Sequence, residues 1–296
     1  MSIQTSKLKM RKIILGTVQF GLDYGINNKI GKPDNNEVKS ILDYAFDNKI
    51  NFLDTAEAYG NSHERIGEYH ANSRNKFKVI TKFSSSRLDL PKNISQRINH
   101  HLKILNIDSI YCYLFHNYDD FNKYFNLFKI ELLELKKIGL IKKIGVSLHY
   151  NQNINDVLKF KDIDLIQLPF NLLDNNSKRE TIFLKARELG VEIHTRSTFL
   201  QGLFFKDIDS IQGKLSVLKK HLKELKKIVH KNEINNLAIN YAYSNTNIDA
   251  ILLGVDSLNQ LKNNISCINN NKFNDLFSDI DQIIVKEDNL LNPANW

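Results

Sequence analysis

A carboxylate and a tyrosine lie in one short stretch of this sequence, NFLDTAEAYG at 51–60. The run 51–53 is predicted to be a short buried strand, Asp54 comes at its carboxyl end, and the loop behind it carries Tyr59. A carboxylate at a strand end, followed by an exposed tyrosine, suits proton transfer better than it suits packing. Taken alone, the stretch has a plainer interpretation, in which Asp54 caps the next turn and Tyr59 is a half-buried aromatic.

Two further ionisable side chains follow later strands. The apolar run 79–81 ends at Lys82, and the run 110–115 ends at His116. A lysine after a strand is usually a surface residue, and a histidine there often caps a helix. Four proton-carrying groups at neighbouring strand ends are harder to explain in this way, because adjacent parallel strands bring their carboxyl ends together.

These residue types predict a specific proton transfer. A free tyrosine has a pKa of about 10 and is a weak acid at neutral pH. A buried ammonium beside Tyr59 would favour the phenolate and make the tyrosine a better proton donor. Asp54 would balance and orient Lys82, and His116 would hydrogen-bond a substrate carbonyl. The set therefore predicts protonation of a carbonyl oxygen while its carbon receives a nucleophile.

No metal site is predicted. His100 and His101 share a predicted helix, and His63 and His70 have no carboxylate partner at suitable spacing. The expected partner is a small-molecule carbonyl compound, and the chain is expected to be a monomer or a weak homo-oligomer.

The elements that must position these groups alternate along the chain. Helices with an apolar period of about 3.6 residues lie between short apolar runs. The first helix has a capping-box start, Asp34 with Glu37, and is predicted to end near Asn48, a residue that tolerates the left-handed conformation. Pro91 is predicted to start a later helix. The apolar runs predict strands at 12–15, 50–53, 79–81, 110–115, 141–146, 164–166, 191–193 and 250–253.

This order of elements predicts the fold class. Strands that alternate with helices at this spacing indicate a parallel sheet with right-handed crossovers. Eight such units in 296 residues, without a linker, predict one α/β domain over 1–296, a closed (β/α)8 TIM barrel with extra helices and a C-terminal tail. The alternative is an open doubly wound sheet. No GxGxxG turn follows the first strand, which argues against a Rossmann domain.

Two segments exceed a minimal barrel. Residues 214–230 carry leucines and a valine on one face and lysines on the other. We interpret this segment as an outer barrel helix with a solvated lysine face, the alternative being a helix that binds a partner. The tail 273–296 is predicted to hold a last helix and an irregular terminus, in which Trp296 either covers a pocket or patches the surface.

Composition narrows the class of protein. The chain is 42% hydrophobic and carries a net charge of +8, but its lysines are scattered and no Arg-rich tail occurs, so nucleic-acid binding is not expected. Met1 to Arg11 is basic, but the apolar run behind it breaks at Gly16, so no signal peptide is predicted. No stretch approaches about 18 apolar residues, so no membrane span is predicted. The two cysteines, Cys112 and Cys267, are far apart and indicate a reducing cytosol and a cytoplasmic protein.

Four motifs in order along the chain resemble the aldo-keto reductase superfamily: LDTAEAYGNSHERIG at 53–67, TKF at 81–83, YLFH at 113–116 and GVS at 145–147. The resemblance runs from LGTVQFG at 15–21 to LLGVDSLNQLKNN at 252–264. It implies a (β/α)8 barrel, a nicotinamide cofactor (NADPH or NADH) bound extended without a Rossmann domain, and reversible reduction of an aldehyde or ketone. Asp54, Tyr59, Lys82 and His116 match the catalytic set of the family in order, with Tyr59 as proton donor.

The resemblance also implies contacts to the nicotinamide end of the cofactor. Ser147 and Gln167 stand where family members hold the carboxamide, and Leu148 stands where the family usually has an asparagine. Arg196 replaces an aromatic residue that often stacks on the nicotinamide, and a planar guanidinium can stack as well. The end of the first strand adds Gly16 and Thr17.

Contacts to the rest of the cofactor are implied by the last two strands. Ser197, Leu200 and Gly202 would line the pyrophosphate. Many NADPH users carry a cation where this chain has Asp256, and an acid there disfavours a 2′-phosphate and suits a free ribose hydroxyl. Lys262, in the same segment, could compensate. The positions that match the adenosine phosphate and adenine contacts are Gly254, Ser257, Gln260 and Asn264.

Two other functions share parts of this pattern. Some members of the superfamily bind the cofactor and act as regulatory or sensor subunits with little turnover. A phosphate-sugar isomerase on the same barrel would need a glutamate placed as base, which we do not find. The segments LGTVQFGLDYGI at 15–26 and RSTFLQGL at 196–203 resemble a bacterial branch associated with carbohydrate pathways, which points to a keto-sugar or nucleotide-sugar substrate.

Overall fold

A closed barrel of eight parallel strands forms the centre of the molecule, in the order β1-β2-β3-β4-β5-β6-β7-β8. The structure, a computed structural model, describes residues 12–28, 30–268 and 271–296, so that Met1–Arg11 lies outside the described residues. The predicted (β/α)8 barrel is confirmed, and the open-sheet alternative is wrong. The strands are β1 (Ile13–Gly16), β2 (Phe52–Asp54), β3 (Lys78–Phe83), β4 (Ile110–Phe115), β5 (Ile141–Ser147), β6 (Leu165–Pro169), β7 (Glu192–Arg196) and β8 (Ala250–Gly254).

Helices surround the barrel and follow each strand. Short 3₁₀ segments join them in the second half of the chain. The helices are α1 (Val18–Gly21), α2 (Asn35–Asp47), α3 (Ser62–Asn72), α4 (Ile94–Leu105), α5 (Tyr118–Lys137), α6 (Asn151–Val157), α7 (Asn176–Glu188), α8 (Lys219–Ile228), α9 (Ile234–Ser244), α10 (Leu258–Cys267) and α11 (Phe277–Asp281).

The start of α2 shows how the sequence fixes a helix. The side chain of Asp34 accepts a hydrogen bond from the backbone N–H of Glu37 at 2.8 Å, as the capping-box pattern predicts. Glu37 does not return the contact. Its carboxylate instead accepts from the backbone N–H of Leu258 at 2.6 Å and joins α2 to the start of α10.

One predicted helix start was wrong by three residues, and one predicted helix end has a different cap conformation. Helix α4 begins at Ile94 rather than at Pro91, because the side chain of Asn93 provides the N-cap. Helix α2 ends as predicted near Asn48, but Asn48 has φ −88° and Lys49 takes the left-handed conformation with φ 66°.

Alternation along the strands places the functional side chains. Residues two apart in a strand share a face. In β3, Ile80 belongs to a small apolar cluster inside the barrel, and Lys82 follows it on the same face at the carboxyl end. Gln167 follows Leu165 in β6 in the same way. The interior cluster, which forms the floor beneath the site, comprises Ile14, Ile80, Cys112, Leu114, Leu165, Ala250 and Leu252.

Seven of the eight strands extend one to three residues beyond their predicted carboxyl ends, and β4 ends at Phe115 as predicted. The apolar pattern stops where polar or glycine residues begin, but the backbone ladder continues, with Gly16 in register with both Asp54 and Gly254. Ser147 pairs likewise with Gln167. These residues are therefore held by the sheet itself rather than by loops.

The segment 214–230 is not one helix. A 3₁₀ segment, Gly213–Leu218, precedes α8, so Leu215 lies outside the α-helix. The apolar side of α8 is buried through Leu222 and Leu225, and α9 is a second helix before β8. An ion pair of Lys220 with Glu287 joins α8 to the C-terminal tail.

The tail ends against the barrel. Trp296 is half-buried against the main core, and its indole N–H donates to the carbonyl oxygen of Leu290 at 2.8 Å. No helix in the ranges that the structure describes is long and apolar enough to cross a membrane.

Candidate active site

Lys82 is the centre of the candidate active site. Its side chain is buried at 1% exposure and forms an ion pair with Asp54. The ammonium also donates to the carbonyl oxygen of Thr55 at 2.9 Å and lies 3.4 Å from the hydroxyl oxygen of Tyr59. Burial alone would lower the pKa of Lys82, but Asp54 and Tyr59 raise it overall. The side chain therefore stays charged beside the tyrosine.

His116 lies across from Tyr59, with the ring centroids 5.7 Å apart and the rings nearly perpendicular. Burial and the positive charges of Lys82 and Arg196 lower the pKa of His116 to about 3. The imidazole is therefore neutral near pH 7 and has one ring N–H to donate. It is suited to hydrogen-bond a carbonyl oxygen rather than to protonate it. The structure thus brings all four predicted catalytic residues together.

Asp54, Tyr59 and His116 line a large cleft over the carboxyl ends of the strands, and Lys82 lies behind them in contact with Asp54 and Tyr59. The volume of the cleft is about 1150 Å³, slightly above the usual range for ligand pockets, about 300–1,000 Å³. It has room for a dinucleotide and a substrate together. The predicted cofactor residues that line it are Gly16, Thr17, Ser147, Gln167, Arg196, Ser197, Gly202, Gly254, Asp256, Gln260 and Asn264.

Two predicted cofactor residues do not line the cleft. The side chain of Leu200 is fully buried in the core. The hydroxyl of Ser257 is the N-cap of α10 and accepts from the backbone N–H of Gln260 at 3.3 Å. Their matching positions in the family therefore correspond here to packing and capping side chains.

The cleft fits the nicotinamide cofactor that the resemblance implies. The amide nitrogen of Gln167 donates to Asp54 at 2.8 Å, and its oxygen is buried without a hydrogen-bond partner among the described residues, so it is free to accept from a carboxamide. At the end of β8, Gly254 lines the cleft, and a Cβ there would lie 2.8 Å from the end of the Gln19 side chain. Ser197 and Gly202 have φ of 63° and 88°, and such left-handed residues cluster at ligand sites.

Comparison with known proteins decides the family. The sequence model of the aldo/keto reductase family matches residues 12–285, nearly the whole chain. The chain belongs to the aldo/keto reductase family. Members of this family use nicotinamide cofactors.

The relatives of this aldo-keto reductase are distant. YqkF of Bacillus subtilis, an uncharacterised oxidoreductase, is 28% identical over 180 residues, which cover 56% of this chain and 58% of YqkF, less than two thirds of its length. A holo aldo-keto reductase from Bacillus halodurans is 20% identical with a TM-score of 0.75 and 94% coverage of both chains. A glycerol dehydrogenase from Gluconobacter oxydans is 20% identical with a TM-score of 0.69, over 91% of this chain and 90% of its own. The two structures show the shared fold, and the family and YqkF together support an oxidoreductase.

Sequence reasoning missed a second buried charge centre of this aldo-keto reductase, which we call the Glu57 network. Its members are Glu57, Ser84, Arg97, His101 and Tyr113. The Glu57 carboxylate accepts from the Arg97 Nε–H, the Ser84 backbone N–H and the Tyr113 hydroxyl, each at 2.8 Å, and His101 Nε2 lies 2.7 Å away. Burial alone would raise the pKa of Glu57, but hydrogen bonds from His101 and Arg97 lower it to about 2.

A sequence signal for this network did exist. Glu57 stands between two alanines in the turn DTAEAYG, and a buried carboxylate needs a cation. Arg97 and His101 stand four residues apart on a predicted helix and so share a face. Nothing in the sequence alone connected that helix face to the loop of Tyr59.

At the adenosine end of the cleft, the structure places Lys262 differently from what the sequence suggested. Lys262 does not line the cleft beside Asp256: its ammonium lies 5.4 Å from the ring centroid of Tyr44 on α2. Asp256 is half-buried and bonded to Gln260, whose side-chain oxygen accepts from the Asp256 backbone N–H at 2.8 Å. Leu148, at the other end, is buried and offers no side-chain donor to a carboxamide. Within the described residues no group of three or more metal-ligating side chains occurs.

Proposed function

We propose that this aldo-keto reductase reduces an aldehyde or ketone to an alcohol with NADPH or NADH, with Tyr59 as the proton donor. The observation that supports this is the contact of Tyr59 with a charged, buried lysine, 3.4 Å from hydroxyl oxygen to ammonium. Proton transfer from a tyrosine leaves a negative oxygen, and a fixed ammonium beside it stabilises that charge.

Each of the four residues has a role in this proposal. Asp54 holds Lys82 in place and keeps it charged. Neutral His116 donates a hydrogen bond to the substrate carbonyl and orients it toward the Tyr59 hydroxyl. The bound cofactor supplies the hydride that the carbonyl carbon receives.

The cofactor is proposed to lie along the cleft from Tyr59 to Asn264. The free oxygen of Gln167 and the hydroxyl of Ser147 would hold the carboxamide, and the left-handed turn at Ser197 and Gly202 would hold the pyrophosphate. Gly16, Thr17 and Arg196 would lie against the nicotinamide half. The adenosine end would be held by Gly254, Asp256, Gln260 and Asn264.

The substrate end of the cleft supports a polar substrate. Its outer lining includes Asn117, Tyr118, Tyr150 and Asn153. Amide and phenol groups hydrogen-bond hydroxyls, and tyrosine rings also offer apolar area. We therefore keep a keto-sugar or nucleotide-sugar as the proposed substrate.

Mass spectrometry of a co-purifying ligand, followed by a carbonyl panel with NADH and with NADPH, tests the proposal. We expect cofactor oxidation that depends on the added carbonyl compound. A protein that retains the cofactor very tightly but turns over no carbonyl compound would instead be the regulatory barrel.

A further inference from the structure

Arg196 is a half-buried cation that lines the cleft, and no acidic side chain pairs with it among the described residues. Its guanidinium donates to the carbonyl oxygen of Leu148 at 3.2 Å and to the hydroxyl of Ser197 at 3.3 Å. An arginine side chain has five N–H donors, so three remain free. Among the described residues no carboxylate bonds to this guanidinium, and burial lowers the pKa of Arg196.

Two arginines that are fully buried have acidic partners. Arg97 binds Glu57, and Arg179 binds both carboxylate oxygens of Asp174, at 2.6 and 2.7 Å. A ligand that fills the cleft would remove water from Arg196, and a cation that loses water without gaining a partner is unfavourable unless the ligand supplies the negative charge. The difference between Arg196 and the two paired arginines therefore points to an anionic ligand.

Arg196 lies near the catalytic residues. Its positive charge interacts electrostatically with the hydroxyl of Tyr59 and with the imidazole of His116. Tyr24 shares this space, and its hydroxyl accepts from the side-chain amide of Gln201 at 2.7 Å. Its own O–H is therefore free to donate.

The other titratable groups on this side do not neutralise Arg196. Burial, Arg196 and Arg179 lower the pKa of His149 to about 3, so it is neutral. Asp54 is bound to Lys82 and Gln167. Asp119 lies exposed at the rim of the cleft.

We propose that the substrate is a carbonyl compound that also carries a carboxylate or phosphate, and that the free N–H groups of Arg196, with the Tyr24 hydroxyl, bind this anionic group. The inference rests on the proposed reductase function. A guanidinium uses its edge for hydrogen bonds and its face for stacking, so this contact is compatible with a nicotinamide ring against Arg196. The rival source of the negative charge is the diphosphate of the cofactor itself.

Matched substrates separate the two sources. The probes are succinic semialdehyde and para-formylbenzoate, each compared with its uncharged methyl ester. We expect the wild-type protein to have a higher kcat/KM for each acid than for its ester. In Arg196→Met the acid-to-ester ratio of kcat/KM should fall at least about tenfold, which is about 1.4 kcal/mol. Any loss of cofactor contact lowers both rates and cancels in this ratio.

Three further variants sharpen the result. Arg196→Lys keeps the charge but loses the planar fork, so its ratio should lie between wild type and Arg196→Met. Tyr24→Phe should lower the ratio by a smaller factor. Arg187→Met is the matched control, because Arg187 pairs with Asp249 in a surface ion pair outside the cleft, and its ratio should equal that of wild type. If Arg196→Met does not fold, the acid-to-ester ratios of Arg196→Lys, Tyr24→Phe and wild type still test the anion site.

Different outcomes overturn the inference and the proposed function. Equal reduction of acids and esters by wild type would overturn the anion site and leave the reductase function intact. An Arg196→Met variant with weaker NADPH and NADH binding by fluorescence titration, but an unchanged acid-to-ester ratio, would assign Arg196 to the cofactor diphosphate and also overturn it. If neither class is reduced, the proposed function fails. The anion site is then tested by binding alone. Calorimetry measures the affinity of succinic semialdehyde for the NADPH-loaded wild type and for NADPH-loaded Arg196→Met. Weaker binding by the variant supports the anion site, and equal affinities would overturn it.

Discussion

Asp54 and Glu57 stand three residues apart, both are almost fully buried, and both pair with a buried cation. Their surroundings differ. The Asp54 ion pair reaches the cleft, because Lys82 lies against Tyr59 and Asp54 itself is a lining residue. The Glu57 carboxylate is enclosed: it accepts from Arg97, Tyr113 and a backbone N–H and contacts His101, and Glu57 does not line the cleft.

The difference separates two uses of buried charge. A carboxylate has about four acceptor sites, and those of Glu57 are filled by groups from three neighbouring elements. Such a centre holds the loop of Tyr59 against β3, β4 and α4 and has no capacity left for a ligand. The Asp54 centre leaves its cation in contact with a group that faces the substrate. A buried ion pair is therefore not by itself a sign of catalysis, and the predictions below test the distinction.

The largest effect should come from Lys82→Met. It removes the positive charge that stabilises the tyrosine oxygen as the proton leaves, and it leaves Asp54 buried without its cation. We expect turnover to fall at least about a hundredfold, and at least as far as in Tyr59→Phe. A pH–rate profile is the measurement. Lys78→Met is the matched control, because Lys78 is exposed at the other end of β3. An unchanged rate and acid limb in Lys82→Met would make the lysine merely structural.

Tyr59→Phe should cut turnover by about a hundredfold, the scale on which a general acid contributes. The phenyl ring still packs against His116, so the melting temperature and the cofactor Kd should stay near those of wild type. Steady-state kinetics measure the turnover, and fluorescence titration measures the cofactor Kd. Tyr124→Phe, on the outer helix α5, serves as the control. A Tyr59→Phe protein that reduces carbonyl compounds at the wild-type rate would show that another group donates the proton.

The Asp54 centre was predictable and the Glu57 network was not, for a physical reason. Asp54, Lys82 and His116 each end an apolar run, and parallel strands bring such ends together. The partners Arg97 and His101 come 40 and 44 residues after Glu57, on a helix whose rotation about its axis is set only by packing. Periodicity identifies the apolar face of that helix but not the polar contact beside it.

Boundaries were predicted less well than the order of elements. Apolar runs end before Gly16 and Ser147, whereas the hydrogen-bonded ladder includes both. The spacing of leucines over 214–230 fits an α-helix, but the first turn of that segment is a 3₁₀ helix that buries Leu218 equally well. Spacing alone does not distinguish these two helix types over a few residues.

Glu57→Gln should act on stability rather than on chemistry. Replacing the carboxylate leaves Arg97 buried without its partner, which costs about 3–5 kcal/mol of the free energy of unfolding. Denaturant unfolding measures this, and kcat per folded molecule should change far less than in Lys82→Met. Glu64→Gln, exposed in the first turn of α3, is the control and should stay within about 0.5 kcal/mol. A hundredfold loss of kcat in a stable Glu57→Gln protein would place Glu57 in the catalytic machinery after all.

The same network predicts an acid-dependent stability. The pKa of Glu57 is lowered from 4.5 to about 2, so its contribution is complete above pH 4.5 and is lost as the pH falls toward 2. Unfolding measured across this range should show a steeper loss of stability in wild type than in Glu57→Gln, which has no group to titrate there. Parallel curves for the two proteins would contradict the depressed pKa.

The smallest effect concerns the far end of the cleft, where Asp256 stands in place of the cation that many NADPH-dependent relatives carry. A carboxylate and a phosphate about 4 Å apart repel by about 1–4 kcal/mol per charge pair, and about 1.4 kcal/mol is tenfold in affinity. Lys262 lies against Tyr44 and is not among the residues that line the cleft. We therefore expect this protein to bind NADH at least as well as a dual-specificity enzyme does. We also expect Asp256→Arg to shift the ratio of the two cofactor affinities about tenfold toward NADPH.

The pH dependence of cofactor binding gives a second test of the role of Asp256. Burial raises the pKa of Asp256, with Gln260 opposing and Asp23 adding to the shift. Protonation removes the negative charge, so the affinity for NADPH relative to NADH should rise as the pH falls toward that pKa, and it should rise less in Asp256→Asn, which is the matched control. Fluorescence titration of both cofactors at several pH values measures the ratio. Wild-type protein that binds NADPH a hundredfold tighter than NADH at neutral pH would refute the role given to Asp256, because its charge is then present and does not discriminate.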